Sequence, residues 1–236
     1  MVNSDKTAII GLFDNSGSMF KFDMTEYSQS INQIIKDQLS LTKVIFYGAT
    51  FSDKFKLFAD GINGEDVNIN VDDLLPNGMT ALVPSFARMI RIVGSRFNNM
   101  NEEDRPGKVI FILLSDGEQT VNKLTNNDND DEPYNGLKGY DNLKKLVEEH
   151  QNIWKWEFMF MGTNIDTISL GEEIGIKQKN CINFFTDDYG LQTALRCVST
   201  NVSRICSNRP SGFTQAEINN SMSSPMSHMN RTLHQI

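Results

Sequence analysis

The sequence contains no apolar run near the roughly 20 residues that a helix needs to cross a bilayer. It begins with polar residues rather than with the basic and apolar regions of a secretory signal. Basic residues are also in deficit, because 22 Lys and Arg stand against 30 Asp and Glu and give a formal net charge of −8. Phosphate backbones are bound mainly by clustered Lys and Arg. We therefore expect a cytoplasmic protein with neither a nucleic-acid nor a membrane partner.

Cysteine is scarce, with only three residues in the 236-residue chain. Cys181, Cys197 and Cys206 are odd in number and lie in apolar segments. They show no spacing typical of a metal site, and we expect free, buried thiols in a reducing compartment.

Several signatures of catalysis and ligand binding are missing. The glycines near FDNSGSM form neither a G-x-G-x-x-G nor a Walker pattern, so a nucleotide site is not indicated. The three histidines, His150, His228 and His234, show no spacing against a Ser or Cys nucleophile. The acidic stretch at residues 126–132 begins like a calcium loop, but Pro133 and Gly139 stand where an EF-hand needs Gly and Glu. We expect a solvated surface loop there.

Short aliphatic segments alternate along the chain with amphipathic segments of helical period. Strands are predicted at residues 8–13, 44–51, 109–114, 157–162 and 183–185. Their near-continuous apolar composition is typical of parallel strands that helices cover on both faces. Residues 52–54 join the second strand to an apolar stretch at 55–59, which predicts a hairpin and one antiparallel pairing. The sequence thus predicts an α/β fold with a doubly wound, mostly parallel sheet.

Oxygen-bearing side chains follow two predicted strands and occupy one loop between them. Asp14, Ser16 and Ser18 follow the apolar run AIIGLF, Thr80 lies in GMTAL before a predicted helix, and Asp116 follows VIFILLS. Because the carboxyl ends of parallel strands share one edge of a sheet, these residues are candidates for a common site. Carboxylates and hydroxyls suit Mg²⁺, and Mn²⁺ would also fit. Each residue alone could instead be a helix cap or a turn residue.

Together the three segments resemble the metal-ion-dependent adhesion site of von Willebrand factor A domains. The resemblance covers residues 6–206 and implies a central first strand, with the hairpin strand antiparallel at one edge. It also implies that Ser16, Ser18 and Thr80 bind Mg²⁺ or Mn²⁺ directly, while the two aspartates bind directly or through water. A partner's Asp or Glu would complete the coordination. The stretch WKWEFMFMGTN, with GEEIGI after it, is similar to stand-alone members of the family in bacteria and phages.

We therefore expect one domain over residues 1–206 and a polar, flexible tail over 207–236, in which residues 214–221 could form a short helix. The leading hypothesis for function is a non-enzymatic, metal-ion-dependent protein-binding module. A second hypothesis is a structural or assembly component of a phage or multi-subunit complex, in the virion if phage-encoded, whose metal stabilises the fold. A metal-assisted phosphatase or hydrolase is disfavoured, because a dehalogenase-type site needs a second acid where this chain has Ser16.

Overall fold

The computed structural model describes residues 2–223, and residues 224–236 lie outside its described part. The strands are β1 Asn3–Asp14, β2 Lys43–Phe51, β3 Phe55–Asn63, β4 Pro106–Ser115, β5 Glu157–Gly162 and β6 Cys181–Asn183. The helices are α1 Met24–Gln38, α2 Val71–Leu74, α3 Leu82–Asn98, α4 Lys138–Asn152, α5 Thr167–Glu173, α6 Asp188–Cys206 and α7 Gln215–Ser221. No helix within residues 2–223 combines the length and the apolar character needed to cross a membrane.

The six strands form one sheet in the order β3-β2-β1-β4-β5-β6. All pairings are parallel except that of β2 with β3, which is antiparallel and lies at an edge. The predicted α/β fold, the central first strand and the antiparallel edge strand are confirmed. The last strand ends at Asn183 rather than at residue 185. The Phe185 N–H donates to the carbonyl of Ser221 at 2.9 Å instead of extending the sheet.

Helices cover both faces of the sheet, and β1 supplies side chains to both layers. Ile9 and Phe13 pack among residues of α1 and α6 on one face. Ile10 and Leu12 pack among residues of α3 and α4 on the other. Because successive side chains of a strand point to opposite faces, a central strand buried on both sides must be apolar at nearly every position. This requirement explains the uninterrupted run AIIGLF. The polar residue that follows the run, Asp14, lies at the carboxyl end of β1.

The three cysteines are free and buried. Burial raises the pKa of Cys181 to about 12 and that of Cys197 to about 11. Both thiols therefore stay protonated near neutral pH and act as small apolar packing groups.

The segment after α6 packs on the domain as far as it is described. Phe213 is buried, and Arg204 of α6 forms an ion pair with Glu217 of α7, with the Arg204 Nη1 to Glu217 Oε1 distance at 2.9 Å. The buried Ser221 hydroxyl donates to the carbonyl of Asn183 at 2.6 Å. These contacts fix α7 against α6 and the edge strand β6. Residues 224–236 of the predicted tail lie outside the described residues.

The acidic loop at residues 126–132 is bound by arginines of α3. Asp131 is fully buried, accepts a hydrogen bond from Arg88 Nε at 3.0 Å and also pairs with Arg91. The Asn126 side chain exchanges hydrogen bonds of 3.1 and 2.8 Å with the main chain of Phe55. The loop is thus anchored at both ends, and only part of it is the solvated surface that composition predicts.

Asp131→Asn should destabilise the protein strongly, because it removes the negative charge that two arginines share. Breaking a buried ion pair by removing one partner costs about 3–5 kcal/mol. Asp130→Asn is the matched control, because the Asp130 side chain is 86% exposed and its loss should cost less than about 0.5 kcal/mol. Urea unfolding measures both. Equal midpoints for the two variants would contradict a structural role for Asp131.

Candidate metal centre

The carboxyl ends of β1 and β4 lie side by side at the centre of the sheet. Their register pairs Phe13 with Leu114, so Asp14 stands beside Ser115, and Asp116 follows directly. Asp14 and Asp116 are both only 1% exposed. Two acidic side chains thus occupy neighbouring strand ends at a point where ligands bind in open α/β sheets.

Asp14 is held by hydrogen bonds from both of these loops. Its Oδ1 accepts from the Ser16 N–H at 2.7 Å, and its Oδ2 accepts from the Ser115 hydroxyl at 2.6 Å. The first bond closes a short turn of the kind that Asp favours at strand ends. Ser115 was not among the predicted site residues, because a serine ending an apolar strand carries no distinctive signal.

A chain of hydroxyls connects the first loop to Asp116. Ser18 lies in the short 3-10 helix Gly17–Lys21, and its hydroxyl donates to Asp116 Oδ1 at 2.6 Å. The Ser16 hydroxyl lies 2.9 Å from that of Ser18. Since Ser18 uses its one proton on Asp116, Ser16 donates to Ser18. Ser18 is exposed, so the hydroxyl chain reaches from the buried loop to solvent.

Thr80 lies on a separate loop that main-chain bonds tie to the first. The Gly17 N–H donates to the Gly78 carbonyl at 3.0 Å, and Gly78 adopts a φ of +70°. Glycine suits this position for two reasons. Other residues rarely adopt a positive φ, and a Cβ there would collide with the Asp53 side chain. Thr80 is buried and exchanges main-chain contacts with Thr120, whose hydroxyl accepts from the Thr80 N–H at 2.8 Å. The structure therefore links Asp14, Ser16, Ser18 and Asp116 and places Thr80 on an adjoining loop.

Lys21 is a member of this site that sequence reasoning missed. Its Nζ lies 2.7 Å from Asp116 Oδ2, and its side chain is 29% exposed. Residues three apart eclipse one another in a 3-10 helix, so Lys21 lies on the same side as Ser18. The spacing Ser-x-x-Lys after the strand would have pointed to it, had a 3-10 helix been foreseen.

Burial dominates the electrostatics of the two aspartates. Burial and, to a smaller extent, the Asp116 charge raise the pKa of Asp14 to about 6, against the opposing effect of hydrogen bonds from Ser115 and Ser16. Tyr27, fully buried beneath the site, has a pKa far above its usual value through burial and the charges of both aspartates. Two neighbouring carboxylates that are buried from bulk solvent make a region that a cation would stabilise.

Comparison with known proteins gives matches at the level of structure. No family model matches the chain, and no curated sequence matches it. The "von Willebrand factor type A from Catenulispora acidiphila" superposes with a TM-score of 0.57 at 16% identity over 85% of this chain and 43% of that chain. The "PilB minor pilin from Streptococcus sanguinis" gives a TM-score of 0.59 at 12% identity over 87% of this chain and 63% of that one. This chain has a von Willebrand factor A fold.

A third structure with this type of fold was solved with a metal. "Manganese-loaded Plasmodium vivax TRAP protein" superposes with a TM-score of 0.51 at 15% identity over 79% of this chain and 70% of that chain. This chain spans less than two thirds of the pilin and Catenulispora chains. At these identities the likeness concerns the von Willebrand factor A fold alone.

The donor set of this von Willebrand factor A fold suits a hard divalent cation. Within residues 2–223, no three His, Cys, Asp or Glu side chains cluster so as to hold a metal, so an ion here would depend on hydroxyl oxygens. Asp116 Oδ2 is buried, forms an ion pair with Lys21 Nζ at 2.7 Å and receives no hydrogen bond from any other described residue. Mg²⁺ and Mn²⁺ accept carboxylate, hydroxyl and water oxygens. The residues present therefore fit such an ion.

Two further polar residues of the carboxyl-end face act locally. Asp166 caps α5 and accepts from the Ser169 N–H at 3.0 Å. Asn164 has a φ of 60° and accepts from the Thr186 hydroxyl at 3.0 Å. Both residues therefore serve turn and cap geometry.

The pKa of Asp14 predicts how the metal-free protein responds to pH. Its folded-state pKa of about 6 exceeds the ordinary value of 3.8, so the folded state binds the proton more tightly than the unfolded state. The stability that protonated Asp14 contributes is complete below about pH 4 and is lost as the pH rises through about 6. The difference between the two pKa values corresponds to on the order of 3 kcal/mol.

The measurement is urea unfolding of the wild type and of Asp14→Asn in EDTA between pH 4 and 7.5. The asparagine variant cannot titrate at this position. The difference in unfolding free energy between the two proteins at each pH therefore removes the contributions of all other titrating groups. The wild type should lose stability relative to the variant as the pH rises. A difference that is constant over this interval, or that grows in favour of the wild type, would show that the Asp14 pKa is not raised.

Proposed function

We propose that the chain is a metal-ion-dependent protein-binding module. Asp14, Ser16, Ser18, Thr80 and Asp116 would hold Mg²⁺ or Mn²⁺, and an Asp or Glu of a protein partner would complete the coordination. The observation that carries the proposal is the hydrogen-bonded set of two buried carboxylates and two hydroxyls at neighbouring strand ends.

Charge favours an acidic partner. Two carboxylates only balance the charge of a divalent ion, and neutral hydroxyl ligands leave the ion electrophilic enough to accept an anionic oxygen. An ion held partly through water keeps an exchangeable position, and a carboxylate is the ordinary protein group that suits it. Ser18 is exposed, so this position faces solvent rather than the core.

Exposed apolar side chains stand on both loops of the site. Phe20 is 73% exposed and follows Ser18 in the 3-10 helix, and Met79 is 54% exposed and precedes Thr80. The Gly17 to Gly78 main-chain bond holds these two loops together. Aromatic residues and Met are enriched in protein interfaces, and Met adapts to irregular partner surfaces. We infer that the partner presents its acidic residue beside apolar ones.

The structural neighbours support a role in adhesion or assembly. One neighbour is a minor pilin and another was solved manganese-loaded. An assembly component that uses the metal site as a docking point belongs to the same class of function and differs only in the permanence of the complex.

A binding role is favoured over a catalytic one. His150, the one histidine among the described residues, lies in the last turn of α4. Its ring centroid is 4.6 Å from that of Trp156, and its Nδ1 contacts the Leu146 carbonyl at 2.8 Å. Burial lowers the pKa of His150. No His, Cys or third carboxylate of the described residues joins Asp14 and Asp116 in a cluster that could supply a general acid or base. We propose that the chain is not an enzyme.

Peptide selection tests the proposed function. A random peptide library is panned on the immobilised wild type in Mg²⁺ and eluted with EDTA. We expect enrichment of peptides in which Asp or Glu neighbours an apolar residue. Peptides that bind equally well in EDTA, with no acidic residue in common, would contradict the proposal.

A selected peptide is then titrated against Thr80→Ala and against Thr200→Ala, a control on the exposed side of α6. Because Thr120 fixes the Thr80 main chain, the first variant removes the hydroxyl and little else. A bond to a charged group is worth about 1.5–3 kcal/mol, so Thr80→Ala should weaken binding about tenfold or more. Thr200→Ala should match the wild type. Equal affinities for all three proteins would place the interface elsewhere.

A further inference from the structure

Lys21 holds its ammonium group where a metal ion would need Asp116. Its Nζ lies 2.7 Å from Asp116 Oδ2, a buried oxygen that receives no hydrogen bond from any other described residue. The same Nζ lies 5.1 Å from the centroid of the Phe22 ring, which is itself buried. A carboxylate on one side and an aromatic face on the other are both attractive to an ammonium. The position of Lys21 is therefore supported from two directions.

The ammonium and a divalent ion could not share this oxygen without repulsion. Both would carry positive charge within a few ångströms of each other in a largely buried place, where charges are poorly screened. Lys21 is 29% exposed and stands at the end of the 3-10 helix, so its side chain has a path to solvent that leaves the helix intact. Asp116 has no comparable freedom, because it is buried and bound to Ser18.

We propose that Lys21 is a tethered cation that competes with the divalent ion for Asp116, lowers the metal affinity of the site and is released to solvent when metal binds. This inference rests on the metal site of the proposed function. In the metal-free protein Lys21 neutralises Asp116, and loading exchanges this monovalent group for a divalent ion. The released side chain extends into the rim beside Phe20, where it adds positive charge to the face that meets the partner's carboxylate.

The first test is a metal titration of two variants with the same change in net charge. Lys21→Met removes the ammonium and keeps an unbranched apolar side chain only one atom shorter. Lys36→Met is the control, because Lys36 is exposed on α1 away from the site. Calorimetry with Mn²⁺ and with Mg²⁺ should give a metal affinity for Lys21→Met that is roughly 2- to 5-fold higher than that of the wild type, and for Lys36→Met one close to the wild type.

Thermal melts of the same proteins give an independent reading. In EDTA, Lys21→Met should melt below the wild type, because Asp116 loses its counter-charge. Its rise in melting temperature on adding metal should exceed that of the wild type. If the wild type binds metal and Lys21→Met behaves as Lys36→Met does, the inference about Lys21 is wrong while the proposed function stands. If the wild type shows neither heat nor a melting shift with either metal, the proposed function fails with it.

The second test needs no variant and so does not depend on Lys21→Met folding. The wild type is treated briefly with an amine-reactive reagent in EDTA and in Mg²⁺, and labelling of Lys21 relative to Lys36 is measured by mass spectrometry. We expect labelling of Lys21 to rise several-fold with Mg²⁺, because its ammonium leaves Asp116. Unchanged labelling under conditions where the metal demonstrably binds would overturn the release of Lys21.

Discussion

The burial of two like charges at adjacent strand ends is the constraint on which this site depends. Asp14 is the last residue of β1, and Asp116 directly follows the last residue of β4. Both side chains are buried from bulk solvent. Such a pair is unfavourable unless protons, hydrogen bonds or cations compensate it. All three occur in this site. Asp14 holds its proton more tightly than a free aspartate, because its pKa is raised to about 6. Ser16, Ser18 and Ser115 donate hydrogen bonds to the two carboxylates, and the ammonium of Lys21 pairs with Asp116.

The rest of the fold keeps these compensating groups in place. The apolar strands fix the relative height of Asp14 and Asp116 through their register. The loop of Thr80 is held by main-chain bonds on both sides, to Gly17 through Gly78 and to Thr120. The acidic loop after β4 is tied down by Arg88 through the buried Asp131. A site built on strand ends and anchored loops is stiff, which suits the selective binding of a small ion.

Much of this architecture follows from sequence pattern, because apolar runs and helical periods report burial directly. The strands from β1 to β5, and the antiparallel pairing of β3 with β2, were predictable on that basis. The end of β6 was not, because Phe184 continues the apolar pattern while the Phe185 N–H pairs with Ser221, a contact between residues 36 apart in the chain. The burial of Asp131 was not predicted for a similar reason, since the arginines that pair with it belong to α3, about 40 residues earlier in the chain.

Site residues divide in the same way. The spacing of Asp14, Ser16 and Ser18 is local and visible in the sequence, whereas Lys21 becomes relevant only once a 3-10 helix brings it onto the side of Ser18. Ser115 likewise acquires its role from the register of β1 against β4. The local sequence pattern therefore indicates which residues could bind a cation. Only the tertiary structure shows which groups compete with that cation, as Lys21 does, or hold its ligands in place, as Ser115 does.

The proposed function depends on a divalent ion bound between the first loop and Asp116. Anomalous diffraction from crystals grown with Mn²⁺ would locate that ion. We expect one strong anomalous peak within coordination distance of the Ser16 and Ser18 hydroxyls and beside Asp116, with Lys21 turned away from the carboxylate. Crystals in saturating Mn²⁺ that show no peak there, with Lys21 still on Asp116, or a peak only at the acidic loop of residues 126–132, would contradict it.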